Sequence, residues 1–90
     1  MTRTIITVVG KDTPGIIARV SVYLYEHRIN IRDISQTIVS GIFNMLIITD
    51  TEGTDIDFDT LQKDLRAIAA QLGVDIRCQR EDMFNQMHRI

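Results

Sequence analysis

The chain is poor in the residues from which covalent or metal-held scaffolds are built. Cys78 is the single cysteine among 90 residues, so the sequence offers neither a disulfide framework nor a metal site of paired thiolates. A lone cysteine fits a reducing compartment. No apolar run approaches the roughly 20 residues of a membrane span, and "MTRTIITVVG" has too short an apolar run for a signal peptide. We expect a cytoplasmic protein with no membrane partner and no metal or other cofactor.

The sequence also lacks a strong charge of either sign and has few aromatic residues. Its net charge is −2, and its basic residues are scattered among acids. Nucleic-acid-binding proteins usually carry a concentrated basic surface, and RNA-binding sheets carry several stacking aromatics. Here the third predicted strand offers only Phe43. The composition therefore argues against a nucleic-acid partner.

Groups suited to catalysis are equally scarce. The two histidines, His27 and His88, fall at a predicted helix end and in the C-terminal tail, where a solvated or capping role is commoner than that of a base. No serine stands in a nucleophile-elbow context. The loop "GKDTPG" has Lys11 as its sole base and contains no sulfur, which disfavours a phosphate cradle or a thiolate metal site. We expect a protein that is not an enzyme, although a small enzyme acting on an amino-acid-like compound stays as the least favoured alternative.

The first third of the chain predicts a strand followed by a helix. Thr4 to Val9 is almost entirely β-branched and apolar, which is typical of a buried strand, and Gly10 is expected to end it. Thr13 stands where an N-cap belongs, and Pro14 where the first helical residue belongs. The helix is expected to end near His27 or Arg28, and its buried face is predicted to contain Ile17, Val20, Ser21 and Leu24.

Two strands follow, joined by a tight turn. Residues 30–39 form the first, and the change in its apolar parity predicts a bulge near Arg32 and Asp33. Ser40 and Gly41 supply the hairpin turn. Residues 42–49 are apolar on both faces, which is usual for an interior strand or an interface strand.

The remaining residues predict a loop, a helix, a strand and a closing helix. Residues 50–59 carry five acids and no base, which we interpret as a solvated loop before a helix N-terminus. A helix follows, ending at Gly73, then a strand of alternating polarity that contains Cys78. The tail "EDMFNQMHRI" has helical apolar spacing. The whole is an α+β, ferredoxin-like βαββαβ sandwich. We expect a four-stranded antiparallel sheet with two helices on one face and a short additional helix at the C-terminus. Residues 1–90 are expected to form a single domain.

Two segments carry a resemblance to a known family. "GKDTPGIIARV" followed by "HRINIRDISQT" resembles the ACT domain, and more closely the small stand-alone prokaryotic ACT proteins. The shared pattern is a strand, Asp-x-Pro-Gly-Ile, a helix and Asn-Ile at the head of the second strand. The resemblance implies an amino acid bound at a dimer interface. The residues it implies for that site are Asp12, Thr13, Gly15 and Ile16 from the loop, with Asn30 and Ile31 from the second strand.

The chemistry of these residues suits such a ligand. A helix N-terminus presents free N–H donors to a carboxylate, and Gly15 lets a ligand approach the backbone. Asp12 suits an ammonium group, and Asn30 both donates and accepts hydrogen bonds. A simpler interpretation stays open, in which Asp12 and Thr13 only cap the helix, Gly15 only packs closely and Asn30 only begins a strand.

The apolar second and third strands predict a homodimer with two equivalent sites, each built partly from both chains. The leading hypothesis is a non-catalytic regulatory or sensor module that binds a small amino acid or related metabolite. Its output would pass to a separate target protein or through a change in assembly. The alternative is a ligand-free structural or protein-interaction module that dimerises. The side-chain selectivity of the site is not encoded in any motif of the sequence.

Overall fold

The computed structural model describes residues 3–81 and has the predicted order of strands and helices. The elements are β1 (Arg3–Lys11), α1 (Ile16–Glu26), β2 (Asn30–Val39), β3 (Ile42–Asp50), α2 (Phe58–Leu72) and β4 (Val74–Arg80). The strands form one antiparallel sheet in the order β2-β3-β1-β4. The ferredoxin-like βαββαβ arrangement is therefore confirmed, whereas the predicted C-terminal helix lies outside the described residues.

The core lies between one face of the sheet and the two helices. Alternation along β3 directs Phe43, Met45 and Ile47 into it, and all three are buried. The opposite face of β3 is only half-buried at Leu46 and exposed at Ile42. β3 is thus an interior strand with apolar residues on both faces, as predicted. Helix α2 contributes a buried stripe at helical spacing, formed by Leu61, Leu65, Ile68 and Ala69.

The bulge and the hairpin turn are both present where the sequence places them. The register of β2 against β3 shifts between Ile31 and Asp33, so Arg32 is the extra residue. Ser40 and Gly41 have φ values of 53° and 78°, which are typical of a type I′ hairpin turn. Gly73 closes α2 with φ 71°, the left-handed conformation expected of a helix C-terminus.

The prediction that Gly10 ends β1 is wrong. The strand continues to Lys11, and Gly10 pairs with Phe43 on one side and Val74 on the other. A Cβ atom at Gly10 would lie 2.7 Å from Cγ1 of Val74. The glycine is therefore needed because β4 begins close against it, and not because the strand stops.

The predicted buried face of α1 is rotated from the observed one. Ile16, Val20, Tyr23 and Leu24 are buried, whereas Ile17 is 39% exposed. Ile16 and Ile17 are only about 100° apart around the helix axis. Either one can therefore lie beside Val20 and Leu24 on an apolar face, and the sequence pattern does not distinguish them. The packing of the sheet selects Ile16.

Candidate functional site

The loop between β1 and α1, residues 12–15, is held against the β2–β3 hairpin. The backbone N–H of Asp12 donates to the carbonyl oxygen of Gly41 at 3.0 Å, while the Asp12 side chain is exposed. The Thr13 hydroxyl donates to the Lys11 carbonyl at 3.0 Å. The loop is therefore anchored through its backbone, and the Asp12 carboxylate faces outward.

The prediction that Thr13 caps α1, with Pro14 as the first helical residue, is wrong. The helix begins at Ile16, and its N-cap is Gly15, with φ 90° and ψ −2°. Those angles match the third position of a type II turn, where glycine is favoured after proline. Pro14 and Gly15 form a turn before the helix, and this moves the first helical residue two positions along the chain.

The N-terminus of α1 has no side-chain cap. Because the first N–H groups of a helix have no partner within the helix, they remain available at the loop. A Cβ atom at Gly15 would meet nothing within 4 Å. Neither capping by Asp12 or Thr13 nor close packing at Gly15 therefore explains this loop. Ile16 contributes only backbone here, since its side chain is 2% exposed in the core.

Asn30 and Ile31 lie at the other end of the sheet. Asn30 begins β2 and faces Asp50, which in turn pairs with Arg3 at the start of β1. Lys11, just before the loop, lies eight positions further along β1, or about 26 Å at strand spacing. Asn30 is exposed and Ile31 packs partly against the core. One chain therefore does not bring the two halves of the predicted site together.

The surface between these two halves is the outer edge of β2. Ile34 and Ile38 pair with core-facing residues of β3, yet they are 43% and 54% exposed. The helices do not cover this strand. After the bulge, residues 34–39 carry no charged side chain. Natural edge strands are usually protected by charges, proline or short length, so this edge is an open surface for pairing.

A polar cluster that the sequence did not reveal joins the end of α1 to the β3–α2 loop. The Thr54 hydroxyl donates to the His27 carbonyl at 2.6 Å, and Nδ1 of His27 lies 3.3 Å from Oδ1 of Asp55. The hydrogen bond with His27 is the main reason that the pKa of Asp55 is lowered. The His27 ring also lies 4.5 Å from that of Tyr23. This cluster holds the turn between α1 and β2, which positions Asn30 at the edge of the sheet.

Two buried titratable groups are unsuited to chemistry at neutral pH. The Tyr23 hydroxyl donates to Asp64 at 2.6 Å, and burial, followed by that hydrogen bond, raises its pKa. Burial raises the pKa of the Cys78 thiol to about 12, so the thiol is a core group rather than a nucleophile. Within residues 3–81, no three His, Cys, Asp or Glu side chains gather to hold a metal ion. Neither α1 nor α2 has the length and apolar character of a membrane-crossing helix.

Comparison with known proteins identifies the family. The sequence model of the ACT domain matches residues 2–79. UPF0237 proteins of Bifidobacterium longum and Methanocaldococcus jannaschii are 53% and 43% identical over 90 residues, covering 100% of each chain. An ACT domain protein from Streptococcus pneumoniae superposes with a TM-score of 0.81 at 38% identity, over 92% of this chain and 93% of that one. A formyltetrahydrofolate deformylase from Pseudomonas syringae matches with a TM-score of 0.82 at 26% identity, over 89% of this chain and 28% of that one. The chain therefore belongs to the ACT domain family, among its small UPF0237 members.

Proposed function

We propose that this protein is a non-catalytic regulatory module of the cytoplasm that binds a small amino acid between two copies of the chain. The observation that carries the proposal is the position of the two half-sites at opposite ends of β2, an open edge strand with no charged side chain over residues 34–39. The Asp12 loop has unpaired N–H groups at the start of α1, but within residues 3–81 no other part of the same chain faces it to enclose a ligand. The Asn30 amide could contact the same ligand, but within one chain it lies far from that loop.

Antiparallel pairing of β2 with β2 of a second copy would join these halves. A two-fold axis at the middle of the strand puts the start of one β2 beside the end of the other. Asn30 of the second copy then approaches Val39 and the hairpin that accepts the Asp12 N–H. The same pairing covers Ile34 and Ile38, whose exposed apolar surface favours association.

The α1 flank next to this edge supports the same assembly. Arg19 on one side of α1 donates to Gln71 of α2 at 3.4 Å, so that flank faces α2. The opposite flank carries Ile17, which is exposed, and Ser21, which is half-buried. It therefore turns toward the β2 edge, where it adds apolar area to a two-fold interface.

The ligand that suits the joined site carries both charges of an amino acid. Its carboxylate suits the N–H groups at Gly15 and Ile16, because these begin an uncapped helix. Its ammonium group suits the exposed carboxylate of Asp12. Asn30 of the second copy donates and accepts from the far side, next to the apolar Ile31. Thr13 shapes the loop through its bond to Lys11.

The regulatory output would be a change in assembly or in the docking of a separate target protein. A site shared by two chains makes the stability of the dimer depend on the ligand, because ligand binds only the paired form. This linkage gives a module without catalytic groups a way to report the concentration of a metabolite.

The first experiment is a thermal-melt screen against the twenty amino acids. A ligand present at 100 times its dissociation constant adds about 2.7 kcal/mol to the free energy of unfolding. We expect one amino acid to raise the melting temperature, and Asp12→Ala and Asn30→Ala to lose that response. Asn44→Ala, which changes an amide elsewhere on the sheet, is the matched control and keeps it. A protein that melts as a dimer without responding to any amino acid contradicts the proposal and favours the interaction module.

Mixing the two variants tests whether the site is shared. A heterodimer of Asp12→Ala with Asn30→Ala has one intact site and one that carries both changes. A statistical mixture therefore regains about a quarter of the sites, although neither parent binds. Binding that stays absent after subunit exchange contradicts a shared site.

The edge itself is tested by Ile38→Lys, which places a charge on the exposed strand. Sedimentation should show a monomer, whereas Ala67→Lys on the exposed side of α2 should remain a dimer. A dimer in both variants contradicts pairing through β2.

A further inference from the structure

A cleft lies at the end of the sheet remote from the Asp12 loop, between the start of α2 and the end of β4. Its volume is about 320 Å³, which is within the range of small-molecule sites. Ile56 and Leu61 give it an apolar floor, and Phe58 forms a wall. Arg80 pairs with Thr4 near the start of β1, which places the cleft at that far end. The cleft belongs entirely to one chain.

The cleft holds one cation and one anion that do not pair with each other. Arg80 and Asp57 both line it, yet none of the ion pairs among residues 3–81 joins them or involves either one. Their charged atoms are therefore more than about 4 Å apart, which leaves both groups able to bind a charged ligand. Unpaired opposite charges around an apolar floor are the recognition elements of a zwitterion.

Both charged groups are held in place by neighbours other than a counter-ion. The guanidinium carbon of Arg80 lies 4.9 Å from the centroid of the Phe58 ring, a cation–π contact that limits the rotamers of Arg80. Oδ1 of Asp57 accepts the N–H of Thr60 at 2.8 Å. Hydrogen bonding from the Thr60 side chain, and then from this N–H, lowers the pKa of Asp57, so the group stays ionised and its remaining lone pairs can accept from a ligand.

We propose that this cleft binds an amino acid with an apolar side chain, independently of the shared site. The ligand carboxylate pairs with the Arg80 guanidinium, its ammonium group faces the Asp57 carboxylate, and its side chain lies against Ile56 and Leu61. Thr54 also lines the cleft, where its hydroxyl donates to the His27 carbonyl and accepts the Ile56 N–H.

The test is a titration of the full-length, ¹⁵N-labelled protein followed by NMR. The probes are L-valine, L-leucine, L-methionine and L-phenylalanine, each compared with the acid that lacks its amine and the amine that lacks its carboxylate. We expect saturable shifts at the amides of Thr54, Phe58 and Arg80 for at least one amino acid. Either single-charge relative should bind at least about tenfold more weakly, because it leaves one charged group unpaired.

Three variants sharpen the test. Arg80→Gln removes the cation and Asp57→Asn removes the anion, and each should raise the dissociation constant by at least about tenfold. Asparagine caps helices as well as aspartate, so Asp57→Asn keeps the N-cap of α2. Arg77→Gln, on the same strand but bonded to Asp75 on the other face of the sheet, is the matched control and should leave binding unchanged.

The outcomes separate this inference from the proposed function. Shifts confined to Asp12, Gly15 and Asn30 support the shared site and overturn the cleft. Shifts in the cleft that survive Asp12→Ala and Asn30→Ala support the cleft whether or not the shared site binds. Equal binding of an amino acid and its amine-free acid overturns zwitterion recognition, and so does the absence of saturable cleft shifts with all four amino acids.

Discussion

The two strand-to-helix connections of this fold occupy equivalent places in its repeat but are built in opposite ways. Residues 51–57 lead into α2 with Asp57 as a side-chain cap, and the same connection holds the end of α1 through Thr54 and Asp55. Residues 12–15 lead into α1 without a side-chain cap, through the N-cap residue Gly15 with φ 90°. The first connection uses its polar groups to stabilise the chain itself. The second leaves the Asp12 carboxylate and the first N–H groups of α1 without a role in the fold, which is why we propose that it binds a ligand.

This difference also locates the stabilising contacts of each connection. The β3–α2 connection is stabilised by its own side chains, through the Asp57 cap and the contacts of Thr54 and Asp55 with His27. The β1–α1 connection is secured at its base, where β1 continues through Gly10 against β4, and by one backbone bond from Asp12 to Gly41. Substitutions should therefore destabilise the two connections through different mechanisms.

The largest effect is expected from Gly10→Ala. The new Cβ would lie 2.7 Å from Cγ1 and 3.1 Å from Cα of Val74, so side chain and backbone must both move. We expect the free energy of unfolding to fall by about 1–3 kcal/mol, measured by urea denaturation. Val74→Ala added to Gly10→Ala should recover only part of this loss, because the contacts at 2.9 Å with Cβ and at 3.1 Å with Cα of residue 74 remain. Full recovery in the double variant would place the whole clash on the Val74 side chain.

A smaller effect is expected from Gly15→Ala, and it should come from the backbone alone. Space is open around the new Cβ, but φ 90° is unfavourable for alanine, which costs roughly 1–2 kcal/mol. Gly53, in the other connection, is the matched control. Its φ lies outside the positive range, and a Cβ there would sit 3.8 Å from the Arg28 carbonyl oxygen, an ordinary contact.

Gly53→Ala should therefore leave the protein unchanged or stabilise it by about 0.4–1 kcal/mol, through the unfolded state. Both variants are compared in urea with the wild type. Equal destabilisation by the two substitutions would contradict the distinction between the connections.

The contrast in capping is tested by Asp57→Ala against Thr13→Ala. Loss of the Asp57 cap should lower the melting temperature by about 5 °C, because the Thr60 N–H loses its acceptor. Thr13 bonds only to Lys11, outside the helix, so its variant should melt within about 2 °C of the wild type. Calorimetry of the two variants measures both shifts, and a larger loss for Thr13→Ala would show that Thr13 caps α1 after all.

The sequence predicts most of this fold because most of its signals are local. The parity change around Arg32 predicts the bulge, Ser40 and Gly41 predict the turn, and Gly73 predicts the end of α2. The errors arise where a distant element decides. Gly10 looks like a strand end until β4 is placed beside it, and the choice between Ile16 and Ile17 depends on the sheet that α1 packs against.

The candidate site is only partly predictable for the same reason. The Asp-x-Pro-Gly-Ile and Asn-Ile segments are recognised by resemblance, but nothing in the sequence shows that one chain holds Asp12 and Asn30 at opposite ends of the sheet. The contact between His27 and Asp55 joins residues 28 positions apart, and that between Arg80 and Phe58 joins β4 to α2. Such pairs have no sequence signature and emerge only from tertiary packing.

The smallest effect is expected from acid, and it should arise in the β3–α2 connection. The hydrogen bond with His27 lowers the pKa of Asp55, and those from Thr60 lower the pKa of Asp57. A carboxyl whose pKa is lower in the folded state stabilises the fold above its unfolded value of about 3.9. That stability is lost as the pH falls below this value and through the lower, folded pKa. Unfolding in urea at pH 6, 4 and 3 should therefore show a steeper loss for the wild type than for Asp55→Asn or Asp57→Asn.

Thr13→Ala supplies the control for this acid series, since it alters the other connection and keeps both carboxyl groups. Its stability should fall with pH in parallel with that of the wild type. The double variant Asp55→Asn with Asp57→Asn should lose the least, because neither of its amides titrates. If the double variant instead lost as much stability as the wild type between pH 6 and pH 3, the acid-sensitive groups would lie outside the β3–α2 connection. The contrast between a connection whose carboxylates stabilise the fold and one whose carboxylate has no part in the fold would then fail.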